Sequence, residues 1–170
     1  LNHRDNMTDE ELAFNVFTSG ENSFRDWITR EQEPGGWDKQ SLQLVTHFLQ
    51  TYWDSRELPN VHLFHYSDMK RDLRGAIADM AVALSIDLDD DLLDAMTEAA
   101  GFDQMKSNAS RHAPEAGREF WKQDSSFFAS GSNGQWRDVL TEDDMRAFEA
   151  RLSELLTPEQ ADWLLNGRQG

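Results

Sequence analysis

Apolar residues recur at helical spacing along most of the chain, and polar caps and breakers punctuate them. Thr8-Asp9-Glu10-Glu11 has the form of a helix start, with Thr8 as N-cap and Glu11 three residues on. Leu12, Phe14, Val16 and Phe17 follow, and Gly20 stops the run. Ser23 is placed to cap a second short helix carrying Phe24, Trp27 and Ile28, before the Glu33-Pro34-Gly35-Gly36 turn. Asp38 is expected to open a longer helix in which Leu42, Val45, Leu49 and Trp53 share a stripe, broken at Leu58-Pro59-Asn60. Further on, Ser67 is read as the cap of a helix to about Leu84. Asp87 to Asp91 give an acidic entry to a helix over 92–100, where the helix dipole favours negative charge. Gly101 ends that helix. Thr141 starts a helix to Leu156, and Thr157-Pro158 starts the last one, closed by Gly167.

Two stretches depart from this pattern. Val61-His62-Leu63-Phe64-His65-Tyr66 is short, apolar or aromatic on both faces, and bounded by turn and cap residues. It reads as one clear strand of a parallel sheet, whose partners the sequence does not contain. Residues 106–126 are mostly polar and include Pro114 and Gly117, so they read as a long loop.

The chain has 170 residues, 38% of them hydrophobic, with six Trp and ten Phe, enough apolar surface for the core of a single domain. The net charge of -16 argues against nucleic acid and against an anionic membrane surface, both of which select basic faces. It leaves room for a small anionic ligand in a locally basic pocket. No apolar run approaches the ~20 residues of a membrane span, and the opening residues are polar. The absence of Cys removes disulfides and thiolate metal sites and fits a reducing compartment, so a cytoplasmic location is expected. His62 and His65, three apart on a strand, face opposite sides and cannot chelate one metal. The Asp87–Asp91 run lacks the Gly and distal Glu of a calcium loop and is read as helix capping.

Three motifs occur in order: Leu63-Phe64-His65-Tyr66-Ser67-Asp68-Met69-Lys70, then Gly101-Phe102-Asp103-Gln104-Met105-Lys106, then Phe127-Phe128-Ala129-Ser130-Gly131-Ser132-Asn133-Gly134-Gln135-Trp136-Arg137. Together they resemble the cytosolic-type sulfotransferases in a bacterial-like form. In that family a strand ending in Y-E-D-M precedes a helix, a T/S-F-x-x-M-K segment follows, and F-F/M-R-K/S-G-x-x-G-x-W closes the site. The resemblance covers residues 1–156. It implies an α/β, P-loop nucleoside-kinase-like fold, of which this chain, taken as one domain over 1–170, is a mostly helical C-terminal portion.

The resemblance also implies transfer of a sulfuryl group from 3'-phosphoadenosine 5'-phosphosulfate (PAPS) to a hydroxyl or amine, leaving adenosine 3',5'-bisphosphate (PAP). Tyr66, Phe102 and Met105 would contact the adenine, Ala129, Ser130 and Gly131 would approach the 3'-phosphate, and Phe128 is counted with them as a cofactor-binding residue. Aromatic faces suit a base, at roughly 1–3 kcal/mol each. The family's K-S-G-T-T-W-type phosphosulfate loop, its R-x-P-x-D-x-x-x-S motif and its catalytic His have no counterpart in this sequence, so no catalytic residue is assigned. The loop at 106–126 would cover the acceptor pocket.

Some positions depart from the family. Ala129 stands where it has Arg, Ser67 where it has Glu, and Gly101 where it has Thr or Ser. Losing the Arg removes a charge-assisted hydrogen bond, a cost of about one to two decades in phosphate affinity. From pattern alone, Tyr66, Phe102 and Met105 read first as packing residues, and Trp136 as an anchor of the turn after Gly134. The alternative is a catalytically inactive truncated chain or a helical interaction module without nucleotide binding, which an exposed sheet edge would lead to self-associate.

Overall fold

The computed structural model describes residues 6–8, 24–31, 41–128 and 131–168. In chain order the helices are α1 Phe24–Thr29, α2 Leu42–Asp54, α3 Tyr66–Arg71, α4 Leu73–Ala83, α5 Asp90–Ala99, α6 Phe102–Ser107, α7 Ala109–His112, α8 Glu142–Leu155 and α9 Pro158–Asn166. Short 3-10 turns lie at Asp124–Phe127 and Gln135–Asp138. The expected helix after Thr8, the Ser23 cap, the 33–36 turn and the Asp38 start fall outside the described residues.

The chain divides into two compact units, each made of two stretches: 1–17 with 73–133, and 18–72 with 134–170. In the second unit α1, α2, α8 and α9 bury Ile28, Leu42, Leu49, Trp53, Leu152 and Leu156 against one another. Ser41, fully buried, caps α2 by accepting the Leu44 N–H at 3.1 Å. Thr46, equally buried, turns its hydroxyl back onto the Leu42 carbonyl at 3.0 Å, so its polar atom is satisfied inside the core. Val45, expected on the core stripe, is 41% exposed instead. The buried side of α2 runs through Leu42, Thr46, Leu49 and Trp53.

Helices α8 and α9 begin as their sequences dictate. Thr141 and Asp144 form a reciprocal capping box, and Thr157 and Gln160 form another with Pro158 in the first turn. The Arg25 guanidinium ties α1 to Asp144 at 2.6 Å.

In the first unit α4 and α5 pair as a hairpin, held across its surface by Arg74 bonding both Asp90 and Asp94. Asp89 caps α5 by accepting the Leu92 N–H at 2.8 Å, which is the capping role read for this acidic run. A second core joins Met7, Ala109, Ala113, Trp121 and Phe128. An antiparallel bridge pairs Met7 with Trp121. The Thr8 N–H donates to the Phe120 carbonyl and the Lys122 N–H to the Asn6 carbonyl.

Three expectations are corrected. Residues 61–65 form no ladder among the described residues, so the strand at 61–66 is not built there, and Tyr66 opens α3. The backbone groups of this segment go elsewhere: the Val61 N–H donates to the Leu58 carbonyl, and the Leu63 carbonyl accepts from Arg168. With no sheet among the described residues there is no sheet edge among them to drive self-association. The helix expected from Ser67 to Leu84 is two helices, interrupted at Asp72, whose backbone sits at φ −141°, ψ 84°. Asp is a poor helix-interior residue, because its side chain competes for backbone groups. Finally, 106–126 is not loop throughout: α6 runs into it, α7 occupies Ala109–His112, and a 3-10 turn begins at Asp124. Trp121 in its middle is buried and donates its indole N–H to the Pro114 carbonyl at 2.6 Å.

Candidate functional site

The second motif becomes α6. Gly101 occupies the N-cap position without a side-chain bond, and Phe102 and Met105 fall on one face of the helix. That face packs on the first unit's core, alongside Phe127 and the buried Phe128. The Phe102 and Phe128 rings meet edge to face with centroids 6.1 Å apart, and Phe127 and Phe128 do the same at 5.1 Å. Lys106, one turn after Phe102, carries its ammonium 5.8 Å from the Phe102 ring centroid.

Gly131 closes this cluster. Its φ is +61°, and a Cβ there would lie 2.8 Å from Phe102 Cγ and Cδ2. Both the left-handed backbone and the ring against it require glycine. The structure therefore brings together Phe102, Met105, Phe128 and Gly131, four of the seven nucleotide-contact candidates. Ala129 and Ser130 lie outside the described residues.

Tyr66 belongs to the other unit. It is the first residue of α3 and 60% exposed, with the Lys70 ammonium 6.0 Å from its ring. Its neighbours are strongly tied. The His65 Nδ1 accepts the Ser67 N–H at 3.2 Å, so His65, not Ser67, caps the helix. The Asp68 carboxyl is held below the usual carboxylate range, chiefly by the backbone N–H of Arg168 and further by the Arg71 guanidinium. Trp136 is 43% exposed, with the Arg137 guanidinium 4.7 Å from its ring, and its carbonyl accepts the Val139 and Leu140 N–H groups within the turn. It lines a groove of about 380 Å³ with Leu140, Met145 and Glu149.

Periodicity did not pick out Trp121, Phe120 or the Gly167–Arg168 turn as parts of these clusters. Trp121 was signalled only by being an aromatic residue inside a polar run. The approach of Gly167 to Asp68 spans about a hundred residues and leaves no local signal.

In fold, this arrangement is that of a sulfotransferase. It matches the crystal structure of mouse sulfotransferase SULT7A1 complexed with PAP at a TM-score of 0.57, covering 71% of this chain and 44% of that one, with 20% identity. The sulfotransferase domain family matches residues 11–158, and the chain belongs to that family. It is 34% identical over 154 residues to a glycolipid sulfotransferase of Mycobacterium bovis, an alignment covering 86% of this chain and 47% of that protein. It is 28% identical over 106 residues to sulfotransferase 2A6 of Rattus norvegicus, covering 62% of this chain and 37% of that protein. The chain spans about half the length of the curated relatives it matches. No helix among the described residues is long and apolar enough to cross a membrane.

Proposed function

We propose that this chain carries the adenine-recognising part of a sulfotransferase that moves a sulfuryl group from PAPS to a hydroxyl or amine acceptor. In that reaction the acceptor heteroatom bonds to sulfur, the bond from sulfur to the bridging phosphate oxygen breaks, and PAP leaves. The acceptor's proton passes to a base, which we place in the half of the domain that this chain does not match. One observation carries the reading: Gly131, from the third motif, sits against Phe102, from the second, with Lys106 beside the same ring.

A half-buried aromatic face and a neighbouring ammonium are the two groups that a base and a phosphate call for. In this reading Phe102 and Met105 take the adenine, and Ala129, Ser130 and Gly131 border the 3'-phosphate. Phe128 backs the Phe102 ring from the core. Tyr66 is proposed as a further adenine contact on its motif. A single domain located in the cytoplasm and acting on a small-molecule acceptor completes the proposal.

Calorimetric titration of PAP into the 170-residue chain tests it. Binding is expected, and F102A should weaken it about tenfold to a hundredfold, the worth of one base–aromatic stack. A second reading draws on the burial of Phe128 and the packing of Phe102 and Met105, which core formation alone would account for. There the chain is a helical module that binds no nucleotide, and a flat titration with a folded chain would select it.

A further inference from the structure

Tyr66 sits in a helix of six residues, too short to hold its own geometry in water, because helix nucleation is costly. Its orientation must come from what grips the turn around it. Several grips on it come from residues 163–168. His65, just before Tyr66, accepts the Ser67 N–H at Nδ1, which leaves the ring proton on Nε2 to donate to the Leu164 carbonyl at 3.1 Å. One imidazole thus joins the start of α3 to the end of α9. Its ring also stands edge-on to Trp163 at 5.2 Å, and Trp163 packs on Trp53 of the core.

Asp68, two residues after Tyr66, accepts the Arg168 N–H at 2.9 Å through one oxygen and the Arg71 guanidinium at 3.0 Å through the other. The Arg168 guanidinium reaches the Leu63 carbonyl at 3.4 Å. Gly167 makes the approach possible. At φ +78°, a Cβ would lie 2.6 and 2.7 Å from the two Asp68 oxygens.

We propose that His65 and the clasp between Asp68 and the Gly167–Arg168 turn are positioning residues. They set the orientation of Tyr66, and through it the affinity of this chain for the adenine nucleotide. The proposal rests on the reading of Tyr66 as a nucleotide contact. The clasp residues touch no ligand; they act through Tyr66.

The chain has only two tyrosines, Tyr52 and Tyr66, so incorporation of 3-fluorotyrosine gives two fluorine resonances, which Y66F assigns. Tyr52, on the exposed face of α2, is the internal control. G167A inserts a methyl against Asp68 without altering α3, and D68A removes the acceptor. Both should move or broaden the Tyr66 resonance, leave that of Tyr52 in place, and raise the Kd for PAP about tenfold, the loss of one hydrogen bond to a charged group. H65N, which keeps a capping acceptor, should retain more affinity than H65A.

A Tyr66 resonance unmoved in both variants overturns the proposal, as does a moved resonance with unchanged Kd. A wild-type chain that binds no PAP overturns the nucleotide reading, and this inference with it. Wild-type binding with a silent Tyr66 overturns the clasp alone.

Discussion

Gly131 is fixed by two independent constraints, a left-handed backbone and a phenyl ring where its side chain would be. G131A should therefore destabilise the fold by about 1–3 kcal/mol, from the positive φ and the displaced Phe102 together, read by urea denaturation. If its midpoint matches that of wild type, the ring does not sit against this glycine. The third motif made Gly131 legible as a special position, because its glycine spacing is distinctive. The resemblance implied an approach to the 3'-phosphate; the Phe102 ring is a reason for glycine that only the packing reveals. Trp121 is the converse case. Its indole N–H donates to the Pro114 carbonyl in a part-buried contact, and W121F keeps most of the apolar ring while removing the donor. A loss of about 0.5–1.5 kcal/mol is expected in the same assay. No periodicity foretold its other contact, the bridge to Met7, because that residue lies more than a hundred positions away.

The starts of α5, α8 and α9 were the most legible features, since a cap and its partner lie within three residues. T141A should cost about 1 kcal/mol in thermal or chemical denaturation. The same box predicts a pH dependence. The Thr141 hydroxyl and amide, and then Arg25, lower the Asp144 carboxyl from 3.8 to about 2. A depressed folded-state value adds stability that is fully present above the unfolded value and fades as pH falls through the folded one. Wild type should therefore lose this contribution between pH about 4 and about 2, and D144A should show a shallower acid limb. Parallel acid limbs would remove Asp144 from the account. Less local features were not legible. The 61–66 segment has strand composition, but a strand exists only by pairing, and the pairing partner is not in its own window. The break at Asp72 rests on a single residue of low helix propensity, which an apolar pattern running through to Leu84 conceals.

The chain carries 32 acidic against 16 basic side chains, so its compact state is self-repelling at neutral pH. Raising NaCl from about 0.05 to about 0.5 M shortens the screening length from about 14 to about 4 Å. The melting temperature should rise across that range. A fall would mean that local pairs such as Arg74 with Asp90 and Asp94 outweigh the net repulsion. Composition alone made this property legible, whereas the division into two units did not show in any linker or shift of composition.

That division bears on the order in which the chain can fold as it is made. Residues 18–72 belong with 134–170, and 1–17 with 73–133. Ile28 and Leu42 find their core partners Leu152 and Leu156 only after more than a hundred further residues have been made, and Arg25 waits 119 residues for Asp144. The unit of 1–17 and 73–133 has all its residues by position 133, whereas the other must wait for 134–170. The α1 and α2 apolar faces must stay open until α8 and α9 arrive, an interval in which a chaperone or a second nascent chain competes for them.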